Sequence, residues 1–292
     1  MSEAVVACCQ LEIVLGDPDA NRATAAAAVR AAAGRGAHIV VLPELASSGY
    51  AFTDQREARR FAESTNGPTV RSWAALAAEL DIVVVGGFCE QGADGRLHNS
   101  AVLADCSGVR AIHRKAHLWD REKLLFAPGD RPPPVVSTAF GRLAMMVCYD
   151  LEFPEYVRQV AVAGAELLCA PTNWPAFPRP DDERPMEVVR VQALAATNRI
   201  FIAACDRARE ERGAQWVGAS VVVDPDGWPL AGPLDGPVAG VALASCRLGL
   251  ARDKRLTERN DVLADRRPEL YRLPAVARAS AITPPDALST SP

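Results

Sequence analysis

Short apolar runs alternate with helical patterns along most of this chain, and this alternation limits the possible folds more than any other feature. Three apolar runs in the first third have the length and composition of buried strands: residues 4–9, 38–42 and 82–86. Two segments between them have helical spacing: residues 21–33 and 69–80. We expect Asp19 or Asn21 to cap the first of these helices. The alternation is typical of α/β proteins.

The second half of the chain continues this pattern. We expect strands at residues 143–148, 167–170 and 200–205 and helices at residues 154–163 and 183–197. Two further segments are typical of hairpins: residues 99–113 and residues 220–227, the latter ending in Asp-Pro-Asp-Gly. The hairpins predict mixed rather than wholly parallel sheets. We expect one domain over residues 1–275 and a flexible tail over residues 276–292, which is rich in Ala, Ser, Thr and Pro.

Composition favours a small-molecule partner. Charged residues make up 23% of the chain and the formal net charge is −4, which gives no reason to expect nucleic acid or a membrane surface as a partner. The chain starts Met-Ser-Glu without a signal-peptide pattern, and no run approaches the roughly 20 apolar residues of a spanning helix. We therefore expect a soluble, cytoplasmic protein.

The eight cysteines predict reduced thiols rather than a metal site or a disulfide framework. None of them forms a CxxC pair, and most lie inside apolar runs. One of them, Cys148, ends the apolar run 143–147 and is followed by polar residues and Pro154. A strand end holds its side chain rigidly, and the following turn exposes the thiol beside free backbone N–H groups. Cys148 is therefore a candidate nucleophile, with a buried structural cysteine as the alternative.

Two further charged residues follow expected strands. Glu44 comes directly after the run 38–42 and Pro43, and Lys115 follows residues 109–113 and Arg114. In α/β proteins the ends of strands are where functional sites assemble, so these side chains could meet Cys148. Taken singly, a glutamate after a strand is usually a solvated loop residue and a lysine beside an arginine is usually a surface charge.

Several separated blocks of this sequence resemble the nitrilase superfamily of carbon–nitrogen hydrolases. The blocks are Leu42-Pro43-Glu44-Leu45 with Gly49-Tyr50, Arg114-Lys115-Ala116-His117-Leu118, Cys148-Tyr149-Asp150-Leu151-Glu152-Phe153-Pro154-Glu155 and Pro171-Thr172-Asn173-Trp174-Pro175. They occur in the order of the family, between about residue 4 and Tyr271. The resemblance implies a four-layer α-β-β-α sandwich with mixed sheets. It also implies a homodimer or higher homo-oligomer, formed through the helical face around the cysteine helix, and no metal or organic cofactor.

The resemblance also implies a catalytic triad of Glu44, Lys115 and Cys148. Glu44 would be the general base, and Lys115 with the backbone N–H of Tyr149 would stabilise the oxyanion. Glu122, in a block that resembles the one carrying a second glutamate, would complete the site; its alternative is a surface partner of Arg121 or Lys123. The flanking His113 and His117 are then structural or line the pocket.

Residues around the cysteine suggest the reaction. Tyr149-Asp150 stands where nitrile-cleaving relatives typically have Trp-Glu, which favours an amidase, and Leu151-Glu152 stands where relatives acting on N-carbamoyl amino acids carry arginine. Glu152 would attract an amine-bearing amide, unless it pairs with Arg158. Carbamoyl-amine hydrolysis, nitrile hydrolysis, acyl transfer and a catalytically silent interaction protein stay open as alternatives. We expect the substrate to contact Tyr50, Trp119, Tyr149, Glu152, Asn173 and Trp174, with Phe177 nearby.

Two departures from the family pattern have no role that the sequence explains. Thr197 stands where many relatives have glutamate, and Asp206 where many have asparagine. Either residue could tune the substrate preference.

Overall fold

A computed structural model of the protein describes residues 3–271, which form two six-stranded sheets. The strands are β1 (Ala4–Gln10), β2 (Ile39–Val41), β3 (Val83–Gln91), β4 (Leu97–Asp105), β5 (Gly108–Arg114), β6 (Val135–Thr138), β7 (Gly141–Met145), β8 (Leu167–Pro171), β9 (Phe201–Cys205), β10 (Val221–Val223), β11 (Pro229–Ala231) and β12 (Gly240–Cys246). The helices are α1 (Pro18–Gly34), α2 (Gln55–Phe61), α3 (Pro68–Leu80), α4 (Glu122–Leu125), α5 (Pro154–Val162) and α6 (Met186–Asn198). None of these helices is long and apolar enough to cross a membrane.

Both sheets are mixed, as the hairpins predicted. The first has the strand order β12-β1-β2-β3-β4-β5, with parallel pairing only among β1, β2 and β3. The second has the order β11-β10-β9-β8-β7-β6, with parallel pairing only among β7, β8 and β9. The parallel strands in the centre of each sheet carry the buried apolar runs that the sequence analysis identified.

Side-chain alternation along the strands builds the four layers. In β1, Val6 and Cys8 pack in a core shared with the second sheet, whereas Ala7 and Cys9 face a separate core that contains apolar residues of α1 and α3. Helices α5 and α6 pack on the second sheet. The result is the expected α-β-β-α sandwich. The expected homo-oligomer stays a prediction, and the expected tail, residues 276–292, lies outside the described residues.

Several element boundaries differ from the sequence-based expectation. Helix α1 begins at Pro18 with Asp17 as its N-cap, whose side chain accepts a hydrogen bond from the Ala20 N–H at 3.0 Å. A proline suits the first helical position because the N–H it lacks has no partner there. Asn21 instead bonds both backbone groups of Val14, so neither Asp19 nor Asn21 is the cap.

The second sheet also contains corrections. Strand β7 ends at Met145 rather than at Cys148, because the chain leaves the sheet before the cysteine. Helix α6 begins at Met186 rather than at residue 183, directly after Pro185, which lacks a backbone donor. The sequence analysis did not identify α2, α4, β6, β11 or β12. Strand β12 completes the first sheet by pairing with β1 over its whole length.

A close approach between β3 and α3 gives a prediction about stability. A Cβ added at Gly86 would lie 2.6 Å from the ring of Trp73, which is buried. Gly86→Ala should therefore lower the free energy of unfolding by about 1–3 kcal/mol through overpacking. Urea denaturation measures this. Gly34→Ala, where nothing lies within 4 Å of the added Cβ, is the matched control and should keep the stability of the parent protein or raise it by up to about 1 kcal/mol. Equal stabilities for the two variants would contradict this account of the packing.

Candidate active site

Three buried charged side chains meet at one end of the sheets. Lys115, directly after β5, donates from Nζ to Oε1 of Glu44 and to Oε1 of Glu122, both at 2.7 Å. Each of the three residues is at most 2% exposed. A buried ammonium needs such partners, because its desolvation otherwise costs several kcal/mol. Glu122 therefore lies in the buried cluster, and the alternative of a surface partner for Arg121 or Lys123 is wrong.

Asn99, the third residue of β4, joins the cluster and was not identified from the sequence. Its Nδ2 donates to Oε1 of Glu44 at 2.6 Å and to Oε1 of Glu122 at 3.4 Å. The other oxygen of Glu44, Oε2, is buried and has no hydrogen-bond partner among the described residues. One side of this carboxylate is therefore held firmly, while the other can accept a proton.

Burial and charge together set the protonation states of the cluster. Burial, reinforced by the charge of Glu122 and opposed by Lys115 and Asn99, raises the pKa of Glu44 to about 7. Burial alone would lower the pKa of Lys115, but the negative charges of Glu122 and Glu44 outweigh it and raise that pKa above its usual range. Lys115 is thus a permanent cation at neutral pH, and Glu44 exchanges a proton near neutrality.

Cys148 occupies a strained backbone position beside this cluster. It is the first residue of a 3₁₀ helix, Cys148–Glu152, and its φ of 46° lies in the left-handed region that non-glycine residues rarely adopt. Burial raises the pKa of the thiol well above its usual value; the charge of Glu44 adds to this effect and that of Lys115 opposes it. The thiol is therefore protonated at rest and needs a base. Backbone N–H groups in the first turn of a helix, such as that of Tyr149, have no partner within the helix.

Asp150 links the loop that contains Lys115 to the turn that contains Cys148 through hydrogen bonds. Its Oδ1 accepts hydrogen bonds from the backbone N–H groups of Ala116 and His117, at 3.2 and 3.0 Å. Its Oδ2 accepts from the backbone N–H of Val147 at 3.2 Å. These donors directly follow the lysine and directly precede the cysteine, so one buried carboxylate fixes the distance between the two segments.

The two histidines flanking the lysine support this carboxylate. His113 Nε2 lies 3.0 Å from Asp150 Oδ2, and His117 Nδ1 lies 2.8 Å from Oδ1. Burial raises the pKa of Asp150, but the hydrogen bonds to both histidines and the charge of Lys115 together outweigh it and hold that pKa below its usual range. Both histidines are therefore structural.

A small cavity of about 30 Å³ opens beside the cysteine. Its lining residues are Trp119, Cys148, Tyr149, Glu152, Asn173, Trp174, Pro175, Phe177 and Glu187. Five of the six residues expected to contact substrate are in this lining. Tyr50 is the exception, because its hydroxyl points to the buried cluster and donates to Oε1 of Glu122 at 2.7 Å. Both polar side-chain atoms of Asn173 are buried without a partner among the described residues.

Two carboxylates lie at the rim of the cavity, and only one was identified from the sequence. Glu152 pairs with Arg190 of α6 at 3.1 Å, and not with Arg158, which donates to the carbonyl of Thr197. Glu187, in the first turn of α6, forms no ion pair within residues 3–271. No sequence pattern distinguishes Glu187 from its neighbours, because its place at the rim depends on how α6 packs on the 3₁₀ helix.

Of the two residues that depart from the family pattern, Asp206 supports the cavity and Thr197 lies away from it. Asp206 is buried after β9 and accepts hydrogen bonds from the N–H groups of Trp174 and Gly218, at 3.0 and 2.8 Å. Burial raises the pKa of Asp206 to about 6. It therefore orients the Trp174 wall of the cavity. Thr197 lies near the C-terminal end of α6, where its hydroxyl donates to the Ala193 carbonyl, and it does not line the cavity.

The hydrogen bonds of Asp150 predict a loss of stability and geometry in Asp150→Asn. An amide nitrogen in place of one oxygen would face a backbone donor, so we expect a loss of about 3 kcal/mol in the free energy of unfolding. Because the pKa of Asp150 is lowered in the folded state, its contribution is present above the unfolded pKa of about 4 and is lost as the pH falls. Chemical denaturation at pH 7 and at pH 3, below the unfolded pKa, measures both effects.

The matched control for this prediction is Asp226→Asn, which removes an exposed carboxylate paired with Arg199. Its stability should stay within about 0.5 kcal/mol of the parent protein. If Asp150→Asn were as stable as this control at pH 7, the proposed link between the two segments would be wrong.

Comparison with known proteins identifies the family of this chain. The family model for carbon–nitrogen hydrolases matches residues 5–255. A nitrilase from Pyrococcus abyssi is 33% identical over 91% of this chain and 98% of its own length. An N-carbamoylputrescine amidase from Arabidopsis thaliana is 31% identical over 88% of this chain and 90% of its own length.

A solved structure is also similar. It is a mutant of the amidase from Nesterenkonia sp. AN1 that shows the Michael addition of acrylamide at the active site cysteine. Its TM-score is 0.76 at 29% identity, and the match covers 92% of this chain and 98% of that one. The chain therefore belongs to the carbon–nitrogen hydrolase family of the nitrilase superfamily.

Proposed function

We propose that this carbon–nitrogen hydrolase is an amidase in which Cys148 attacks a small, amine-bearing carboxamide and releases first ammonia and then the acid. One observation carries the proposal. Oε2 of Glu44 is buried without a partner among the described residues, and the charge of the same carboxylate contributes to the raised pKa of the Cys148 thiol. A buried acceptor without a partner is costly, and a proton from the thiol would satisfy it. Glu44 is thus the general base.

In the acylation step, the Cys148 thiol proton moves to Glu44 as the sulfur bonds to the amide carbon. The π electrons of the carbonyl move to its oxygen, whose negative charge is stabilised by the Lys115 ammonium and the backbone N–H of Tyr149. Glu44 then donates the proton to the nitrogen, and the C–N bond breaks with its electron pair leaving on nitrogen. Ammonia departs and a thioester remains.

In the deacylation step, Glu44 takes a proton from water as the water oxygen bonds to the thioester carbon. The second tetrahedral oxyanion has the same stabilising donors. When it collapses, the C–S bond breaks and Glu44 returns the proton to the sulfur of Cys148. The carboxylic acid is released and the thiol is restored, with no change in oxidation state.

The charges at the rim support the preference for an amine. Glu152 and Glu187 contribute two negative charges, and Arg190 compensates one of them through its pair with Glu152. Glu187 is left as the carboxylate that can bind a cationic group at the far end of a substrate. Arg190 is already engaged, which disfavours a substrate with a carboxylate there.

Hydrolysis of an N-carbamoyl amine is the second candidate. It uses the same nucleophile, base and oxyanion donors, and one relative is named N-carbamoylputrescine amidase. The products distinguish the two reactions, because a carbamoyl substrate also yields carbon dioxide and an amine, whereas a carboxamide yields an acid.

The raised pKa of Glu44 predicts the pH dependence of the reaction. The base must be ionised, so kcat/KM for ammonia release from a panel of small amides should fall about tenfold per pH unit below pH 7. Because the charge of Glu122 contributes to raising that pKa, Glu122→Gln should move the acidic limb to lower pH. Steady-state kinetics across pH 5 to 9 measure both.

Two variants serve as controls for the pH profile. Glu57→Gln removes a half-buried carboxylate that pairs with Arg212 and does not line the cavity, and the acidic limb of its pH profile should coincide with that of the parent protein. Cys148→Ala should have no activity. If the acidic limb of the Glu122→Gln profile lay at the same pH as that of the parent protein, Glu44 would not be the titrating base. Activity in Cys148→Ala would exclude the thioester route.

Substrate preference gives a separate prediction. Glu187→Gln should lower kcat/KM for an ω-amino amide by about 2- to 5-fold relative to a neutral amide of the same length, as expected for a partly exposed ion pair. Glu152→Gln should act in the same direction. Glu183→Gln, an exposed carboxylate outside the cavity lining, is the control. Unchanged ratios in both rim variants would overturn the amine preference while leaving the amidase reaction intact.

A further inference from the structure

We infer that the buried ion pair of Arg207 and Glu211 positions the Glu122–Lys115 pair, acting through Tyr50. The inference rests on the proposed function, in which Lys115 stabilises the oxyanion. Neither Arg207 nor Glu211 lines the cavity beside Cys148, so both are positioning residues.

Arg207 is a fully buried cation at the end of β9, two residues after Cys205. Its Nη2 donates to Oε2 of Glu211 at 2.5 Å and to the Ile13 carbonyl at 3.1 Å, and its guanidinium carbon lies 5.4 Å from the centroid of the Trp216 ring. Its Nε and Nη1 have no partner among the described residues. A buried pair with unsatisfied donors is a weak source of stability, because desolvation offsets most of the attraction. The arrangement is better explained by what Glu211 does with its other oxygen.

That oxygen holds the backbone of the loop after β2. Oε1 of Glu211 accepts hydrogen bonds from the N–H of Tyr50, at 2.7 Å, and from the N–H of Ala51. The preceding Gly49 has a φ of 86°, and a Cβ there would lie 2.7 Å from the backbone of Leu15 and 3.0 Å from Oε2 of Glu211. The loop thus folds closely around the carboxylate, and its backbone has little freedom to move.

The side chain of Tyr50 carries this constraint to the buried cluster. Its hydroxyl donates to Oε1 of Glu122 at 2.7 Å, the same oxygen that accepts the hydrogen bond from Lys115. Its ring packs edge-on against Trp216, with centroids 5.5 Å apart. Trp216 also lies under the Arg207 guanidinium. Both the backbone and the ring of Tyr50 are therefore held by the same ion pair and its tryptophan.

Removing the Glu211 carboxylate should therefore displace the hydroxyl of Tyr50 and leave Glu122 less firmly held. Lys115, which depends on Glu122 for its position, would shift relative to the developing oxyanion. A misplacement of about 1 Å at a reacting group can cost about 100-fold in rate. We therefore expect Glu211→Gln to lower kcat by about 10- to 100-fold with a smaller change in KM.

A double-mutant cycle with Tyr50→Phe tests the route. Glu211→Gln should reduce kcat strongly in the parent protein but by less than about threefold in the Tyr50→Phe background, because Tyr50→Phe has already removed the hydrogen bond to Glu122. Alkylation of Cys148 by acrylamide, followed by mass spectrometry of its peptide to separate it from the exposed Cys106, provides a second readout that does not require amide turnover. We expect the effects of the two substitutions on the alkylation rate to be non-additive in the same way.

Glu166→Gln is the matched control. Glu166 is also a buried carboxylate that bonds a backbone N–H, that of Arg142 at 3.0 Å, and pairs with an arginine, Arg252. It directly precedes β8, whereas the cavity residues Asn173 and Trp174 follow the other end of that strand. This variant should lose stability while keeping kcat and the alkylation rate within about twofold of the parent protein, and its effects should add to those of Tyr50→Phe.

Failure of this inference and failure of the proposed function give different results. If the parent protein hydrolyses amides and Glu211→Gln retains its kcat, or its effect adds to that of Tyr50→Phe, the inference is wrong. If the parent protein hydrolyses no amide, the proposed function fails, and the alkylation rates decide the inference by the same criterion. Should Glu211→Gln not fold, Glu211→Asp, which keeps the charge on a shorter side chain, undergoes the same cycle.

Discussion

The buried ammonium of Lys115 is the constraint on which the rest of the site depends. A cation in the interior is tolerated only when it is paired and its partners are themselves hydrogen-bonded. Glu44 and Glu122 supply the charges. Asn99 and Tyr50 donate to the same oxygens that bind Lys115, and the backbone N–H of Trp119 donates to Oε2 of Glu122. The one oxygen left over, Oε2 of Glu44, is the position where a general base needs a free lone pair.

Three other buried carboxylates hold the loops around this cluster in a common way. Asp150, Asp206 and Glu211 each accept hydrogen bonds from backbone N–H groups of a different loop. Loops have backbone donors that no sheet or helix satisfies, and a buried anion can satisfy several of them at once. These loops are therefore held firmly around the active-site cluster although their backbone is irregular.

The sequence was informative where the signal is local. Strands such as β2 and β8 are continuous apolar runs, and their prediction depends only on neighbouring residues. The layers of the sandwich and the Glu44, Lys115 and Cys148 triad came from the resemblance to the nitrilase superfamily. Pairing between β1 and β12 had no local signal, because those strands are more than two hundred residues apart. Asn99 was missed because a polar residue in a buried strand looks the same whether or not it binds a carboxylate.

By itself the sequence determined the apolar runs that become the central strands, the longer helices, the apolar run before Cys148, and the family blocks around it. Only the tertiary structure decided which distant side chains meet. Glu152 binds Arg190 rather than Arg158, Glu187 joins the rim, and the backbone of Tyr50 bonds Glu211 across 161 residues of sequence. Periodicity reports on contacts within a few residues, whereas these contacts depend on how two sheets and their loops pack.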